Sequence, residues 1–275
     1  MTDGHFQRHY GKEQLIEAIA AALRRLGKDP AQLNPADLAG VDEFHVRGRE
    51  ASKELAAKLL PEADAPVLDI GCGLGGPSRL LAAGYGCRVT GIDLTEDYCR
   101  AASTLSEWVG LTDRVAYACA DALALPFADA GFAHVWTQHV AMNIADKPRL
   151  YHEVFRVLRP HGRFALYDVL QGPAGEALLP VPWARETTMN YLATPEALRR
   201  LLSDAGFEIV HWQDSTALGR RWFAEASRRI GEKGLPPLGV GLLLGPAFAQ
   251  MAANMSRNLD EGRIVLIEAV CRRPS

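Results

Sequence analysis

The chain has 275 residues, 48% of them hydrophobic and 23% charged, with a formal charge of −3 at pH 7. That length can bury the core of one α/β domain with some decoration, and the composition argues against disorder and against a coiled coil. The near-neutral charge speaks against a nucleic-acid partner, because the arginine pairs at 24–25, 199–200, 220–221 and 228–229 fall in helical stretches and read as solvated faces.

Apolar residues at helical spacing (Leu15, Ile16, Ile19, Ala20, Leu23, Leu26) predict an amphipathic helix over 15–26, stopped by Gly27. A second helix is expected over 47–60, ended by Pro61, and the first buried strand follows at 67–70. From there strands and helices alternate: helix 77–83, strand 88–92, helix 96–109, strand 115–120, strand 134–137, helix 147–158 and, after the turn RPHG, strand 164–169. Alternation of this kind predicts a parallel sheet with helices on both faces. The stretch 170–192 breaks the rhythm with Gly172, Pro173, Gly175 and Pro180 and an apolar cluster that includes Val181, Trp183, Met189 and Tyr191, so an insertion over the sheet is expected. Thr194 as N-cap and Pro195 at the first helical position open a helix to 205. Strand 207–213, helices 217–230 and 246–259 and a last strand, 263–271, complete the chain. The expected organisation is a helical lid over 1–60 and a core over 61–275, with cap insertions at about 170–193 and 231–260.

Five cysteines (Cys72, Cys87, Cys99, Cys119, Cys271) are scattered without a CxxC pair, which suits neither a disulfide nor a metal framework and points to a reducing compartment. The start of the chain carries no apolar stretch of signal-peptide type, and the most apolar late segment, 234–248, is broken by Pro236, Pro237 and Pro246. The expectation is a cytoplasmic protein with no membrane partner, no metal and an open oligomeric state.

The segment VLDIGCGLGG sets Gly71, Gly73 and Gly76 in a GxGxxG array between a buried strand and a helix, where glycines permit a tight turn and a close approach of N–H groups to a ligand. On this motif alone a ligand-free turn and a dinucleotide site both stay open. Asp93 closes the second strand 24 positions after Asp69, where a doubly wound sheet sets a carboxylate against ribose hydroxyls. Thr95 is the expected cap of the next helix, which leaves Asp93 free for that role. Asp121 follows the third strand, where its carboxylate and the N–H of Ala122 can pair with the amino group and ring nitrogen of an adenine. Acids beside the glycine loop suit a sulfonium cation with an amino-acid tail better than they suit a pyrophosphate.

On these residues, the stretch from Val67 to about Val169 resembles the class I S-adenosylmethionine-dependent methyltransferases. VLDIGCGLGG matches the first motif, Asp93 the acid after the second strand, ADALALPF the adenine segment and VLRPHGRFALYDV the turn before the fifth strand, where His161–Gly162 replaces the usual glycine pair. The resemblance implies a Rossmann-like doubly wound α/β fold with a seven-stranded sheet of order 3-2-1-4-5-7-6, its last strand antiparallel. It further implies S-adenosylmethionine as cofactor, with contacts from Asp69, Gly71, Cys72, Gly73, Gly76, Asp93, Leu94, Asp121, Ala122 and Gln138. DEFHVRGREAS is similar to a segment that small-amine and quinone methyltransferases place over the donor, which makes His45, Arg47, Gly48 and, with them, Tyr10 candidates for lining the methionine end. For His45 and Tyr10 packing or surface roles stay open.

Methyl transfer is an in-line displacement, so the acceptor must be held beside the methyl with water excluded and a proton acceptor at hand. In WTQHVAMNIADK, directly after the fourth strand, His139 is the candidate general base, and Gln138 and Asn143 are candidates to orient the acceptor. The segment is similar to WSQDxxLHS of sarcosine and dimethylglycine methyltransferases, but His139 stands in place of the aspartate and Asn143 in place of the histidine. A cationic glycine derivative is therefore disfavoured, and no NPPY-like sequence supports a nucleobase amine. Trp183 and Tyr191 are candidates for a pocket roof, which would suit a small substrate with a hydrophobic or aromatic part. The expected function is methyl transfer from S-adenosylmethionine to an O or N atom of such a molecule. The alternatives are methylation of a small amine of the glycine or sarcosine type, a nicotinamide-dependent oxidoreductase on the same sheet, and a module that only binds the cofactor.

Overall fold

In the computed structural model, which describes residues 12–275, short apolar runs pair into one seven-stranded sheet in the order β3-β2-β1-β4-β5-β7-β6. The strands are β1 (Pro66–Ile70), β2 (Arg88–Asp93), β3 (Val115–Cys119), β4 (Phe132–Gln138), β5 (Leu158–Gln171), β6 (Glu208–Asp214) and β7 (Ile264–Arg272). The helices are α1 (Lys12–Arg25), α2 (Ala39–Asp42), α3 (Gly48–Leu59), α4 (Gly76–Tyr85), α5 (Glu96–Trp108), α6 (Lys147–Val157), α7 (Pro195–Asp204), α8 (Thr216–Lys233), α9 (Gly241–Leu244) and α10 (Phe248–Asp260). Strands β1 to β5 run parallel, and β7 lies antiparallel between β5 and β6.

Side chains that alternate along the central strands feed two cores. Val67, Val89, Trp136 and Tyr167 meet Leu55 and Leu59 of α3 on one face, together with Val181, Trp183 and Met255. Leu68, Ile70, Val135 and Phe164 meet α6 and α7 through Leu150, Val154, Leu198 and Leu202 on the other. Burial on both faces is why β1 reads as an apolar run interrupted only by Asp69. In a third cluster Leu15, Ile19 and Leu23 of α1 pack with Leu38 and Val41, with Leu74 of the glycine loop, with Ala101 and Leu105 of α5, and with Leu238. The beginning of the chain and the segment before α9 thus form one layer. They touch so closely that a Cβ on Gly40 would lie 2.7 Å from the Leu238 carbonyl oxygen.

Most boundaries shift by a few residues from the sequence reading, and two of the shifts have a clear physical reason. RPHG is not a turn ahead of β5 but a bulge inside it: between the pairs Phe132–Leu158 and His134–Arg163 the β5 side carries the extra residues, with His161 at φ 62°. The tail of β7 holds the bulge, since the His161 N–H donates to the Arg273 carbonyl at 2.8 Å and the Arg273 N–H to the Gly162 carbonyl at 2.9 Å. Helix α10 begins at Phe248 rather than 246, because Pro246 sits in a separate short turn, Gly245–Ala247. No helix among the described residues is long and apolar enough to cross a membrane.

Candidate active site at the carboxyl ends of the parallel strands

The glycines after β1 do different work. Gly71 (φ 71°) turns the chain over the end of β2, where its N–H and that of Cys72 both donate to the Ile92 carbonyl, at 2.8 and 2.9 Å. A Cβ at Gly71 would stand 2.4 Å from a Val140 methyl, and one at Gly76 would stand 2.3 Å from the Asp42 carbonyl oxygen. These two positions let neighbouring segments cross. Gly73 (φ 52°) differs, because nothing lies within 4 Å of its missing Cβ, so the loop presents an open cradle there. Gly75, which the sequence pattern did not single out, has φ 80°, and its absent Cβ would meet the Tyr117 hydroxyl at 2.3 Å.

Around that cradle, Asp69 is buried and accepts from Ser78 Oγ at 2.6 Å, and burial pushes its carboxyl up to about 7. Asp93 accepts from the Gly73 N–H at 3.1 Å with one oxygen and from the Thr95 N–H at 2.8 Å with the other. Thr95 makes no side-chain cap, which corrects the sequence reading: Asp93 itself caps the turn into α5. A carboxylate offers about four lone-pair sites, so these two bonds leave room for ribose hydroxyls. Leu94 is 64% exposed, a large apolar side chain left in the open beside the loop. Asp121 is exposed and accepts from the Leu123 N–H at 2.8 Å, with Ala122 half-buried beside it, while Cys72 is buried.

At the end of β4, Gln138 is buried. Its Oε1 accepts from Trp136 Nε1 at 3.0 Å and lies 3.1 Å from Ser52 Oγ, and its Nε2 lies 3.2 Å from His45 Nε2. Ser52 Oγ donates to Glu43 Oε2 at 2.6 Å, so Glu43, Ser52, His45 and Gln138 form a buried chain from the N-terminal segment to β4. Burial and the neighbouring Asp42 push Glu43 up to about 7, and burial holds His45 down to about 4. The Gln138 amide, a candidate for cofactor and acceptor contacts from sequence, is thus held in place by Trp136, Ser52 and His45. Arg47, another candidate for the methionine end, pairs with Glu54 at 2.6 Å and Glu268 at 3.3 Å. Gly48 keeps its carbonyl 3.0 Å from His45 Nε2.

His139 takes the left-handed backbone conformation (φ 54°), with its N–H donating to the Tyr167 carbonyl at 2.7 Å. Its ring neighbours those of His45 (centroids 5.9 Å apart) and Tyr167 (4.9 Å). Burial, and then His45, hold His139 well below the ordinary histidine value, so the ring is neutral at pH 7. Among the described residues neither His139 Nε2 nor the Tyr167 hydroxyl has a hydrogen-bond partner, although both atoms are buried.

Asp168 Oδ2 accepts from the Ala141 N–H at 3.1 Å, and burial pushes its carboxyl up to about 7. Lys147 Nζ donates to the carbonyls of Ala141 and Ile144, both at 2.7 Å, and to that of Tyr191, which ties the insertion to the loop after β4. Trp183 is buried and donates to Asn190 Oδ1 at 2.8 Å. Asn143 is exposed and turns its amide back to the Val140 carbonyl, and Tyr191 is 38% exposed, so both stand outside the buried cluster. Tyr10 lies outside the described residues. Tyr167, Glu43, Ser52, Lys147 and Asp168 were not singled out from sequence; the LYDV after the RPHG motif and the acid in DEFH were the available signals. Among the described residues no group of His, Cys, Asp or Glu is arranged to hold a metal ion.

Comparison with known proteins agrees with this geometry. Residues 68–166 match the family described as "Methyltransferase domain". The chain is 34% identical over 134 residues to methyltransferase GfsG of Streptomyces halstedii, an overlap of 49% of this chain and 48% of that one. It is 32% identical over 179 residues to 27-O-demethylrifamycin SV methyltransferase of Amycolatopsis mediterranei (64% and 66%) and 28% identical over 211 residues to sarcosine/dimethylglycine N-methyltransferase of Halorhodospira halochloris (77% and 73%). It therefore spans about half to three quarters of the length of these relatives. Among solved structures, phosphoethanolamine N-methyltransferase 2 of Haemonchus contortus in complex with S-adenosyl-L-methionine shares the fold with a TM-score of 0.75 at 19% identity, covering 100% of this chain and 60% of that one. The [4+2]-cyclase SpnF shares it with a TM-score of 0.66 at 24% identity over 96% and 97% of the two chains, so the fold alone does not fix the reaction. The ordered motifs, the strand order and the relatives together place this chain in the class I S-adenosylmethionine-dependent methyltransferases, with S-adenosylmethionine as its cofactor.

Proposed function

We propose that the protein transfers the methyl group of S-adenosylmethionine to an oxygen or nitrogen of a small molecule with a hydrophobic or aromatic part, and that His139 takes up the acceptor's proton. The observation that carries this reading is the His139 ring: neutral, with its Nε2 buried and unpartnered, on the residue that follows β4. Bound S-adenosylmethionine would supply an electrophilic methyl on a sulfonium sulfur. The Gly71–Gly73 loop would hold its backbone-facing side, Asp93 its ribose hydroxyls, and Leu94, Asp121 and Ala122 its adenine. Asp69, Cys72 and Gly76 would shape the loop from behind. The chain Glu43–Ser52–His45–Gln138 would close the methionine end, beneath a lid made of the first helices and the segment before α9. Trp183 would give the acceptor an apolar wall, with Tyr191 and Asn143 at its mouth. The name of the rifamycin relative supports an oxygen acceptor and that of the sarcosine relative a nitrogen one. The latter fits less well, because the carboxylate expected opposite a small cationic amine is His139 here.

The test is transfer of labelled methyl from S-adenosylmethionine into a cell extract, with the labelled product identified by mass. A labelled small molecule is the expected result. Tight binding of S-adenosylhomocysteine with no label transferred to any acceptor would mean a module that holds the cofactor without using it. In the same binding assay, Asp93→Ala should weaken S-adenosylhomocysteine by about 1.5–3 kcal/mol, the worth of hydrogen bonds to a charged acceptor, and an unchanged affinity would remove Asp93 from the ribose role.

A further inference from the structure

Two polar atoms near the end of β4 are buried with no partner among the described residues, and they belong to adjacent rings: His139 Nε2 and the Tyr167 hydroxyl, with ring centroids 4.9 Å apart. An unpaired buried hydroxyl or ring nitrogen is costly, and native proteins keep few of them except where a ligand completes the bonding. Packing alone does not account for the Tyr167 case. Tyr167 sits directly across the sheet from Glu268, a strong acceptor on the same face, yet Glu268 Oε1 takes its hydrogen bonds from Ser215 Oγ at 2.5 Å and Arg47 at 3.3 Å.

The other charges around this pair are matched in the same way. Arg47 spends its second arm on Glu54 at 2.6 Å, and Glu43 is engaged by Ser52 at 2.6 Å and Arg49 at 3.3 Å. His45, the remaining titratable neighbour, is held neutral by burial. What remains open is a phenol, which can donate its proton, and a neutral imidazole nitrogen, which accepts when the ring proton sits on Nδ1. That combination matches an alcohol or phenol, which offers one lone pair and one proton from the same oxygen. An ammonium group suits it less well, because it has no lone pair for the phenol proton and the nearby carboxylates that would meet its charge are already engaged.

Resting on the methyl-transfer reading above, we infer that Tyr167 and His139 form a two-point anchor that selects a neutral hydroxyl as the acceptor. The Tyr167 O–H donates to the acceptor oxygen, and His139 Nε2 accepts the hydroxyl proton. As the new oxygen–methyl bond forms, the methyl–sulfur bond breaks, its electron pair stays on sulfur as a neutral thioether, and the proton rests on His139 before passing to solvent. Tyr167 thereby sets specificity, since a site built to bond a hydroxyl penalises any analogue that leaves its buried groups unpaired.

The experiment uses the full chain saturated with S-adenosylhomocysteine and three fluorinated probes of similar size: 4-fluorophenol, 4-fluorobenzylammonium and fluorobenzene, with affinities read by fluorine NMR. The wild type is expected to bind the phenol about tenfold or more tighter than the ammonium. Tyr167→Phe should weaken the phenol about three- to tenfold, the worth of one neutral hydrogen bond, and leave fluorobenzene and S-adenosylhomocysteine unchanged. Equal or tighter binding of the ammonium by the wild type would overturn the inference with no variant needed. So would a phenol affinity that Tyr167→Phe does not move, or no phenol binding at millimolar concentration. S-adenosylhomocysteine is measured first: its failure to bind would remove the underlying methyl-transfer reading, whereas its binding together with a wrong probe ranking would remove only the anchor.

Discussion

The proposed donor half of the site, after β1, β2 and β3, and the proposed acceptor half, after β4 and β5, differ in how the polar groups that face the site are bonded. On the donor half the acids beside the glycine loop are already bonded within the chain, Asp69 to Ser78 and Asp93 to the N–H groups of Gly73 and Thr95, and behind them Arg79 pairs with Asp42, although Arg79 Nε and Asp42 Oδ1 keep no partner among the described residues. On the acceptor half His139 and Tyr167 keep buried atoms unpaired. A group whose bonds are complete before a ligand arrives is preorganised for one fixed partner, and its loss is felt as stability. A group with an open valence is felt as turnover or selectivity. The contrast fits an enzyme with an invariant donor and an acceptor that the rest of its own chain must choose.

The sharpest way to break the contrast on the donor half is Arg79→Leu. Arg79 is fully buried and donates to Asp42 at 2.7 Å, to Ser106 at 3.0 Å and to the carbonyls of Ala102 and Leu74, so it ties the N-terminal layer to α4 and α5. Its removal leaves Asp42 buried and unpaired, and urea unfolding should register a loss of about 3–5 kcal/mol. Adding Asp42→Asn should restore part of it, because the uncompensated charge is then gone. A loss below ~1 kcal/mol would mean that this ion pair does not hold the layer.

On the acceptor half, His139→Ala should instead lower turnover by ~10²–10⁴-fold, the worth of a positioned proton acceptor, while donor affinity moves little. The pH profile carries a sign that the sequence alone would misplace. A base acts when neutral, and burial together with His45 holds His139 well below the ordinary 6.5. The wild-type rate should therefore be flat through neutral pH and fall only on the acid side of that value, and the variant should lose the acid limb. A limb centred at or above pH 6.5 would contradict the burial of the ring, and an unchanged rate would make His139 a packing residue.

Both halves are partly legible in the amino-acid sequence. The central strands are, because burial on two faces leaves runs such as Val67, Leu68 and Ile70 with little polar interruption. Gly71, Gly73 and Asp93 are, because tight turns and strand ends restrict residue type locally. Tyr167 is not: an aromatic in a buried strand has the same pattern whether its hydroxyl serves a substrate or only fills space. Ser52 and Gln138 meet across 86 positions, and such a contact leaves no periodic trace. The bulge in β5 is hidden for a related reason, since the Arg273 carbonyl that holds it comes from the other end of the chain.

Within the glycine loop the contrast can be drawn at two positions of one motif. Gly71→Ala places a methyl 2.4 Å from Val140 in a backbone at φ 71°, so overlap and strain combine to cost about 2–4 kcal/mol of stability. Gly73→Ala, at φ 52° with nothing within 4 Å, carries only the left-handed strain of about 1–2 kcal/mol, but its methyl would stand in the cradle. Unfolding and S-adenosylhomocysteine titrations should therefore separate the pair: Gly71→Ala the less stable, Gly73→Ala the poorer binder for its stability. Equal binding by Gly73→Ala and the wild type would mean that the donor lies elsewhere along the loop.

The last effect expected concerns Asp69, and it changes with pH. Burial raises its carboxyl from 3.8 to about 7, so between those values the folded protein binds a proton that the unfolded chain has released. Stability from this group is fully present below about 3.8 and is lost as pH rises through about 7, where a buried carboxylate must ionise. An amide cannot ionise and still accepts from Ser78, so Asp69→Asn should gain on the wild type as pH rises from about 5 to about 8. The gain should be about 1.4 kcal/mol for each pH unit above 5 over which Asp69 stays protonated in the folded protein. Denaturant unfolding at the two pH values measures the difference. A gap that is constant with pH, or one that shrinks, would mean that Asp69 is already ionised in the folded protein at pH 5, and the glycine loop would then hold a standing negative charge facing α4 rather than an acid that keeps its proton up to about pH 7.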